Sequence, residues 1–381
     1  MKKIMYTIFI FNFLFSLLTA ILPLLVYDLT KTPSTSGYVL TTFMLALIAS
    51  RLLLFKFYIK ELILLKFGLF FYCLGFVVLT IFSNYLLPFY VGAVFFGIGV
   101  GTVAPALLTM ITNIDGNKKL MIGLHNSFMG VASAIAPLVG VFLFYNIEQK
   151  LYLYFSLFFL ALTILIPSFF VKAGISDNDD SKNSTSKFNK RIFKLDYLSN
   201  YFTFLLTSIS YGSIIAYLPI LLEQINLRID MFYFFFWSFF VLAQLYMPAI
   251  CSYLSEKLLM TLSILIIALS TVLLGFSSND VLLIFNAVMF GFSYGGLMNI
   301  FYNRIAMVKD NKSKTNAFSI FGLMSYLGVG LGAMLLSPIA NNSLTKVFII
   351  SAIFPVGALI INLLFASISN KRAEWKTRLR A

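Results

Sequence analysis

Apolar residues run through the chain in twelve blocks of about twenty or more, parted by short polar intervals and without the alternation of a half-buried strand. About 20 residues of helix cross the roughly 30 Å hydrocarbon layer, because each backbone N–H and C=O there must find its partner within the segment. The pattern predicts spans at 4–26, 37–56, 62–82, 86–111, 119–145, 150–171, 197–222, 231–254, 258–276, 280–305, 315–338 and 346–368. The expected fold is an all-α polytopic membrane protein, its twelve transmembrane helices arranged as two pseudo-symmetric six-helix bundles. The only long polar interval, AGISDNDDSKNSTSKFNKRIFK from Ala173 to Lys194, cannot bury a core and reads as a tether. It divides the chain into a first bundle (1–172), a linker (173–195), a second bundle (196–370) and a basic tail (371–381).

Composition agrees with this pattern. Hydrophobic residues make up 60% of the chain and charged residues 11%, against roughly 25% charged in a soluble domain. The 43 Phe and 20 Tyr suit lipid-facing surfaces and interfacial belts. A formal charge of +14 would suit nucleic acid, but its placement says otherwise. With both termini inside, all but four of the 28 basic residues, the exceptions being Lys31, Lys150, Arg228 and Lys346, fall on the cytoplasmic side. The charge therefore orients the protein in a bilayer, and no nucleic-acid partner is expected.

Cys73 and Cys251 sit in separate spans, which leaves no disulfide framework. After Met1-Lys2-Lys3 the apolar run continues to Tyr27 without a small-residue cleavage site, so it reads as an uncleaved first span. One histidine, two separated cysteines and no carboxylate at the middle of any span leave no metal cluster, cofactor motif or acid–base pair; no enzyme activity is expected. No GxxxxGK[ST] phosphate loop appears either, so no nucleotide-driven step is expected.

The halves repeat each other weakly. Ala20-Ile-Leu-Pro23-Leu-Leu in span 1 parallels Ala216-Tyr-Leu-Pro219-Ile-Leu in span 7, and Phe96-Gly97-Ile-Gly99-Val-Gly101 in span 4 parallels Phe290-Gly291-Phe-Ser293-Tyr-Gly295 in span 10. With twelve spans and a central linker, these pairs resemble the major facilitator superfamily over essentially the whole chain. Ser252-Tyr253-Leu254-Ser255-Glu256-Lys257 is similar to that family's G-x-L-[AS]-D-R loop; Phe55-Lys56-Phe57-Tyr58-Ile59-Lys60 keeps only the basic residues, so the electrostatic latch the loop normally supplies is expected to be altered. In span 5, Gly123-x8-Ala132-x3-Ala136-Pro137-x2-Gly140 is similar to the antiporter motif, with two glycines replaced by alanine. Small residues that pack one helix closely on another account for the same spacing. The arginine that antiporters of the family often carry in span 4 is here Ala93.

The resemblance implies a substrate cavity near the midplane, lined mainly by spans 1, 4, 7 and 10. Polar residues deep in those spans and in span 8 are its candidates: Asn12, Tyr211, Gln244, Tyr294 and Asn299 for binding, with Ser210, Ser213, Trp237 and Ser293 beside them. Asp28 and Glu223, at corresponding outer ends of spans 1 and 7, and His125 in span 5 are candidates for proton coupling; a packing role for His125 stays open. Gly123, Pro137, Gly140, Glu256 and Lys257 are candidates for conformational gating. Arg51 and Arg304 either snorkel to headgroups or face the cavity and attract an anion.

The expected function is proton-coupled export of a small organic molecule across a bacterial inner membrane by a monomer with cytoplasmic termini. Its residue inventory suits a zwitterionic or anionic substrate, and the chain also resembles bacterial exporters of metal-chelating small molecules. Multidrug efflux, solute uptake and a non-transporting sensor remain as alternatives.

Overall fold

The structure, a computed structural model, describes residues 2–57, 59–112, 118–170, 195–307 and 311–378. They form α1 (Lys2–Thr30), α2 (Pro33–Lys56), α3 (Glu61–Phe82), α4 (Leu86–Thr112), α5 (Lys118–Asn146), α6 (Lys150–Phe169), α7 (Leu195–Gln224), α8 (Ile229–Tyr253), α9 (Glu256–Leu274), α10 (Asp280–Ala306), α11 (Asn311–Leu335), α12 (Ser337–Ala340), α13 (Leu344–Ser351) and α14 (Ile353–Arg378). Twelve stretches are long and apolar enough to cross a membrane, the last of them, Leu344–Phe365, made by α13 and the start of α14. Each predicted span thus has its helix. The linker lies outside the described residues except for Leu195, and α14 carries the chain past the predicted span into the basic tail.

The twelve spans alternate in direction, which puts both chain ends at one end of the bundle, here the terminal end. Lys31, Lys150, Arg228 and Lys346 all lie at the opposite, far end, in or beside the turns between spans.

Within the first half α1 packs on α5, α2 on α4, and α3 on α4 and α6; within the second, α7 packs on α11, α8 on α10, and α9 on α10 and α14. The halves meet along α2–α11 and α5–α8, with α1 beside α7. The duplicated glycines explain the matching geometry. A Cβ on Gly97 would lie 2.5 Å from the Phe43 carbonyl of α2, and one on Gly101 would lie 2.8 Å from that of Leu47. Gly291 meets the Phe236 carbonyl of α8 in the same way, and a Cβ on Gly295 would lie 2.6 Å from the Phe240 carbonyl. Only hydrogen leaves room for backbones this close, so α4 seats on α2 as α10 seats on α8. The contacts also fix a register in which Phe43 corresponds to Phe236 and Leu47 to Phe240.

Prolines set two further features. Pro355 has no N–H to give the Ser351 carbonyl, and its ring crowds that carbonyl, so the twelfth span breaks at Ala352 between α13 and α14. Ser210 Oγ donates to the freed carbonyl at 2.7 Å, and Ser213 Oγ pairs with Ser351 Oγ at 2.8 Å. Pro248 likewise frees the Gln244 carbonyl inside α8, and Asn299 Nδ2 of α10 donates to it at 3.1 Å. A buried backbone acceptor must be satisfied, and in both places a polar side chain from a neighbouring helix does it.

Candidate functional site

A line of polar contacts joins the two halves, starting at the far end. Gln224 Nε2 donates to Tyr27 Oη at 2.9 Å, the Ser34 amide to Asn341 Oδ1 at 3.0 Å, and Ser337 Oγ to the Ser34 carbonyl at 3.1 Å. Deeper in, Thr41 Oγ1 donates to the Gly330 carbonyl at 3.2 Å. Tyr217 Oη reinforces this region by donating to the Ala333 carbonyl, one of the last-turn acceptors of α11 that have no partner inside their own helix. The last contact of the line is Arg51 Nη2 to Tyr326 Oη at 3.4 Å. These hydrogen bonds tie the seam from the far end to mid-height.

At mid-height the second half presents an aromatic wall. Phe204 stacks on Phe321 with ring centroids 4.2 Å apart and on Tyr294 at 5.4 Å; Tyr211 lies 5.0 Å from Tyr294 and stacks on Phe236 at 5.3 Å. The phenylalanines of this wall are fully buried and back a half-buried edge of Tyr211, Trp237, Tyr302 and Tyr326. Among the described residues the Tyr211 hydroxyl has no hydrogen-bond partner. Tyr294 is tied down, its hydroxyl 2.9 Å from Ser208 Oγ.

An amide ladder runs beside this wall. Gln244 Nε2 donates to the Gly295 carbonyl at 2.9 Å, Asn299 Nδ2 approaches Gln244 Oε1 at 3.2 Å, and Asn303 Nδ2 donates to Asn299 Oδ1 at 2.9 Å. By the register fixed above, Gln244 of α8 corresponds to Arg51 of α2. Each half therefore offers one long polar side chain from the same position.

Other expected site residues are more dispersed. Asn12 is half-buried and donates to the Ile8 carbonyl of its own helix at 2.7 Å. Asp28 pairs with Lys31 at 2.7 Å at the far end. Glu223 stands close to both and to Lys150, and its Oε2 is buried with no hydrogen-bond partner among the described residues. His125 sits near the terminal end of α5, its Nδ1 3.3 Å from Asn126 Oδ1. Gly140 packs on Leu17 of α1, where a Cβ would lie 2.8 Å from Cγ; Ala132 and Ala136 are fully buried, and Pro137 lies within α5. Gly123 falls within α5, but its surroundings lie outside what the structure describes.

Ser210 and Ser213 bond the broken twelfth span, where the carbonyl freed by Pro355 draws them. Arg304 Nε pairs with Glu256 at 3.0 Å and its Nη1 with Asn200 at 3.1 Å. That pairing holds α9 and α7 to α10 inside one half, so Glu256 does not reach across the seam; Lys257 is exposed. Tyr302 and Tyr326 escaped the sequence reading because nothing in their spacing separates them from the other tyrosines of the chain.

Two bundles with a common register, joined at one end and lined at mid-height by polar side chains from both, have the architecture of a secondary transporter. A model of the Major Facilitator Superfamily matches residues 4–258, two thirds of the chain, and the protein belongs to that family. Solved structures with the same fold include the nucleoside transporter NupG, 12% identical with a TM-score of 0.77 over 95% of this chain and 99% of that one. A peptide transporter POT in complex with sulfate is 12% identical with a TM-score of 0.75, covering 97% and 94%. A bacterial homolog of the human lysosomal transporter Spinster, inward-facing and unoccupied, is 11% identical with a TM-score of 0.73, covering 96% and 96%. None of the curated proteins matches the chain in sequence.

Proposed function

We propose that this transporter exports a small zwitterionic or anionic organic molecule of the metal-chelating class from a bacterial cytoplasm, in exchange for protons and as a monomer. The observation that carries the coupling is the buried, unpartnered Oε2 of Glu223 beside the Gln224–Tyr27 tie at the far end. Ionised, that oxygen is a charge without a hydrogen bond in the closed seam, eased only through space by Lys31 and Lys150; protonated, it is neutral and can donate. Protonation therefore favours the closed far end and ionisation favours its opening. With cytoplasmic termini the far end faces outward, so a proton arriving from outside resets the emptied carrier while the substrate leaves. Asp28, Lys31 and Lys150 set the field around Glu223.

The reading is supported by the small-residue pattern of α5 and by the placement of basic residues, which keeps all but four of them off the far end. It is tested by comparing metabolites in cells and medium with and without the gene, under metal-replete and metal-starved growth. The expected result is a metal-regulated metabolite trapped inside the deletion strain. Loss of uptake of a medium component, with nothing trapped, would reverse the direction. In membrane vesicles Glu223→Gln should flatten the pH profile of export and His125→Phe should leave it; the opposite pattern moves the proton site to α5.

A further inference from the structure

Arg51 is a basic side chain of the first half that bonds a residue of the second, Tyr326, at the seam. It lies three residues before the end of the second span, Pro33–Leu54, where a snorkelling side chain would reach outward to the headgroups. The structure shows the reverse. α2 runs from the far end to the terminal end, and helical side chains lean toward the N-terminus of their helix, so the guanidinium is carried back toward mid-membrane. There it lies 4.7 Å from the ring centroid of Tyr326, a residue midway along α11.

A charge at the centre of a span costs about 2.5–3.5 kcal/mol on insertion scales, and one drawn back from the headgroups toward it is seldom idle. No carboxylate among the described residues pairs with Arg51, and its Nε is buried with no hydrogen-bond partner. Tyr326 provides a cation–π face and one weak hydrogen bond, which leaves most of the five guanidinium N–H donors uncommitted. Beside it there is space: among the described residues of other helices, only Arg51 Nη1, at 3.5 Å, lies within 4 Å of a Cβ built on Gly322.

We propose that Arg51 is the anion seat of the central site: it receives a carboxylate of the substrate, while the tyrosine edge of the second half takes the remainder of the molecule. The bidentate match of guanidinium to carboxylate supplies the geometry. Because Arg51 also bonds Tyr326 of the opposite half, a carboxylate that captures its N–H groups loosens that contact of the seam. The inference rests on the transporter reading and adds the charge and the contact point of the substrate.

The test uses the full chain in detergent with three probes of one shape, 4-phenylbutyrate, its primary amide and 4-phenylbutylamine. At saturating concentration the carboxylate alone should raise the melting temperature, by roughly 1 °C for each ~1 kcal/mol of linked binding. Arg51→Gln should weaken that response roughly 10–100-fold, the loss expected for a charged hydrogen-bonded pair, and Arg51→Lys should keep part of it. A variant whose unliganded melting matches the wild type is needed for the comparison; if Arg51→Gln lowers it, Arg51→Lys, which keeps the charge without the bidentate fork, serves instead, and a full carboxylate response in it overturns the seat. Equal response to amide and carboxylate, no response to any probe, or full carboxylate response in Arg51→Gln overturns the seat. A neutral or cationic trapped metabolite would also overturn it while leaving export in place. A carboxylate-specific shift with no trapped metabolite would do the reverse.

Discussion

The first helix of each half occupies the same place in its bundle, yet α1 and α7 are built from different chemistry. α1 buries Ile8, Leu14, Leu17, Leu18 and Ile21, and its one fully buried hydroxyl, Ser16, pairs with Ser133 of α5 at 2.9 Å. α7 buries Ser199, Asn200, Thr203, Thr207, Ser208, Ser210 and Ser213. Those groups serve different neighbours: Ser208 holds Tyr294, Asn200 holds Arg304, and Ser210 and Ser213 hold the broken twelfth span. The second half is thus pinned by side-chain hydrogen bonds, and the first rests more on aliphatic and aromatic packing such as the Tyr72–Phe76–Phe96 cluster. On the reading proposed above, the aromatic wall of the second half shapes the site and Arg51 of the first half supplies its charge.

The halves should still respond alike where they share backbone geometry. Gly97→Val and Gly291→Val each drive a side chain into a carbonyl of the neighbouring helix. Overpacking usually costs about 1–3 kcal/mol, and with backbone on both sides little can yield, so both variants should sit at or above that range. The yield of monodisperse protein and its melting temperature measure it. Tolerance at one glycine and collapse at the other would break the equivalence of the registers, and with it the pairing of Arg51 with Gln244.

A smaller effect belongs to the second half alone. Asn299→Leu strands the Gln244 carbonyl that Pro248 leaves free, at about 1–3 kcal/mol for an unsatisfied buried acceptor. Pro248→Ala supplies an N–H for that carbonyl, so the same change should cost less than half as much in that background. Equal cost in both backgrounds would show that Asn299 stabilises the helix pair in another way.

The spans were legible in the sequence because a bilayer leaves the backbone no alternative, and the duplicated glycines were legible because only glycine serves at those contacts. The break at Ala352 had its signal in Pro355, which hydropathy passes over since proline does not interrupt an apolar run. The destinations of Ser210, Ser213 and Arg304 were not legible: a polar residue in an apolar span announces that it has a partner, not which helix supplies it. Arg51 was ambiguous for a related reason, since its distance from the span end fits a headgroup as well as the seam, and only the path of α11 decides between them.

Transport should separate the halves by degree. Tyr211→Leu removes an open hydroxyl and a stacked ring from the wall and should raise the KM for the exported metabolite roughly 10-fold, whereas Asn12→Ala, whose amide is already spent on its own helix, should raise it less than about 3-fold. Uptake into inverted vesicles measures both. A larger effect at Asn12 would move the binding surface to the first half.

The least effect is expected where the first helix of each half ends. Lys31 and Asn226 both adopt left-handed backbone, with φ of 52° and 55°, to turn the chain after α1 and α7. Asparagine visits that region at little cost and lysine does not, so Lys31→Gly should stabilise by roughly 0.5–1 kcal/mol while Asn226→Gly changes almost nothing. The substitution also removes the Lys31–Asp28 pair, whose side chains are 69% and 46% exposed and which is therefore worth little. Its hydrogen bond to Asp28 raises the Lys31 pKa, so the pair's contribution is complete below the free lysine value of about 10.4 and fades as pH climbs through the raised one. The gain from glycine should consequently be slightly larger at pH 11 than at pH 7. A loss of stability at pH 7 would mean that the exposed pair outweighs the backbone, and that the two halves end their first helices by different means.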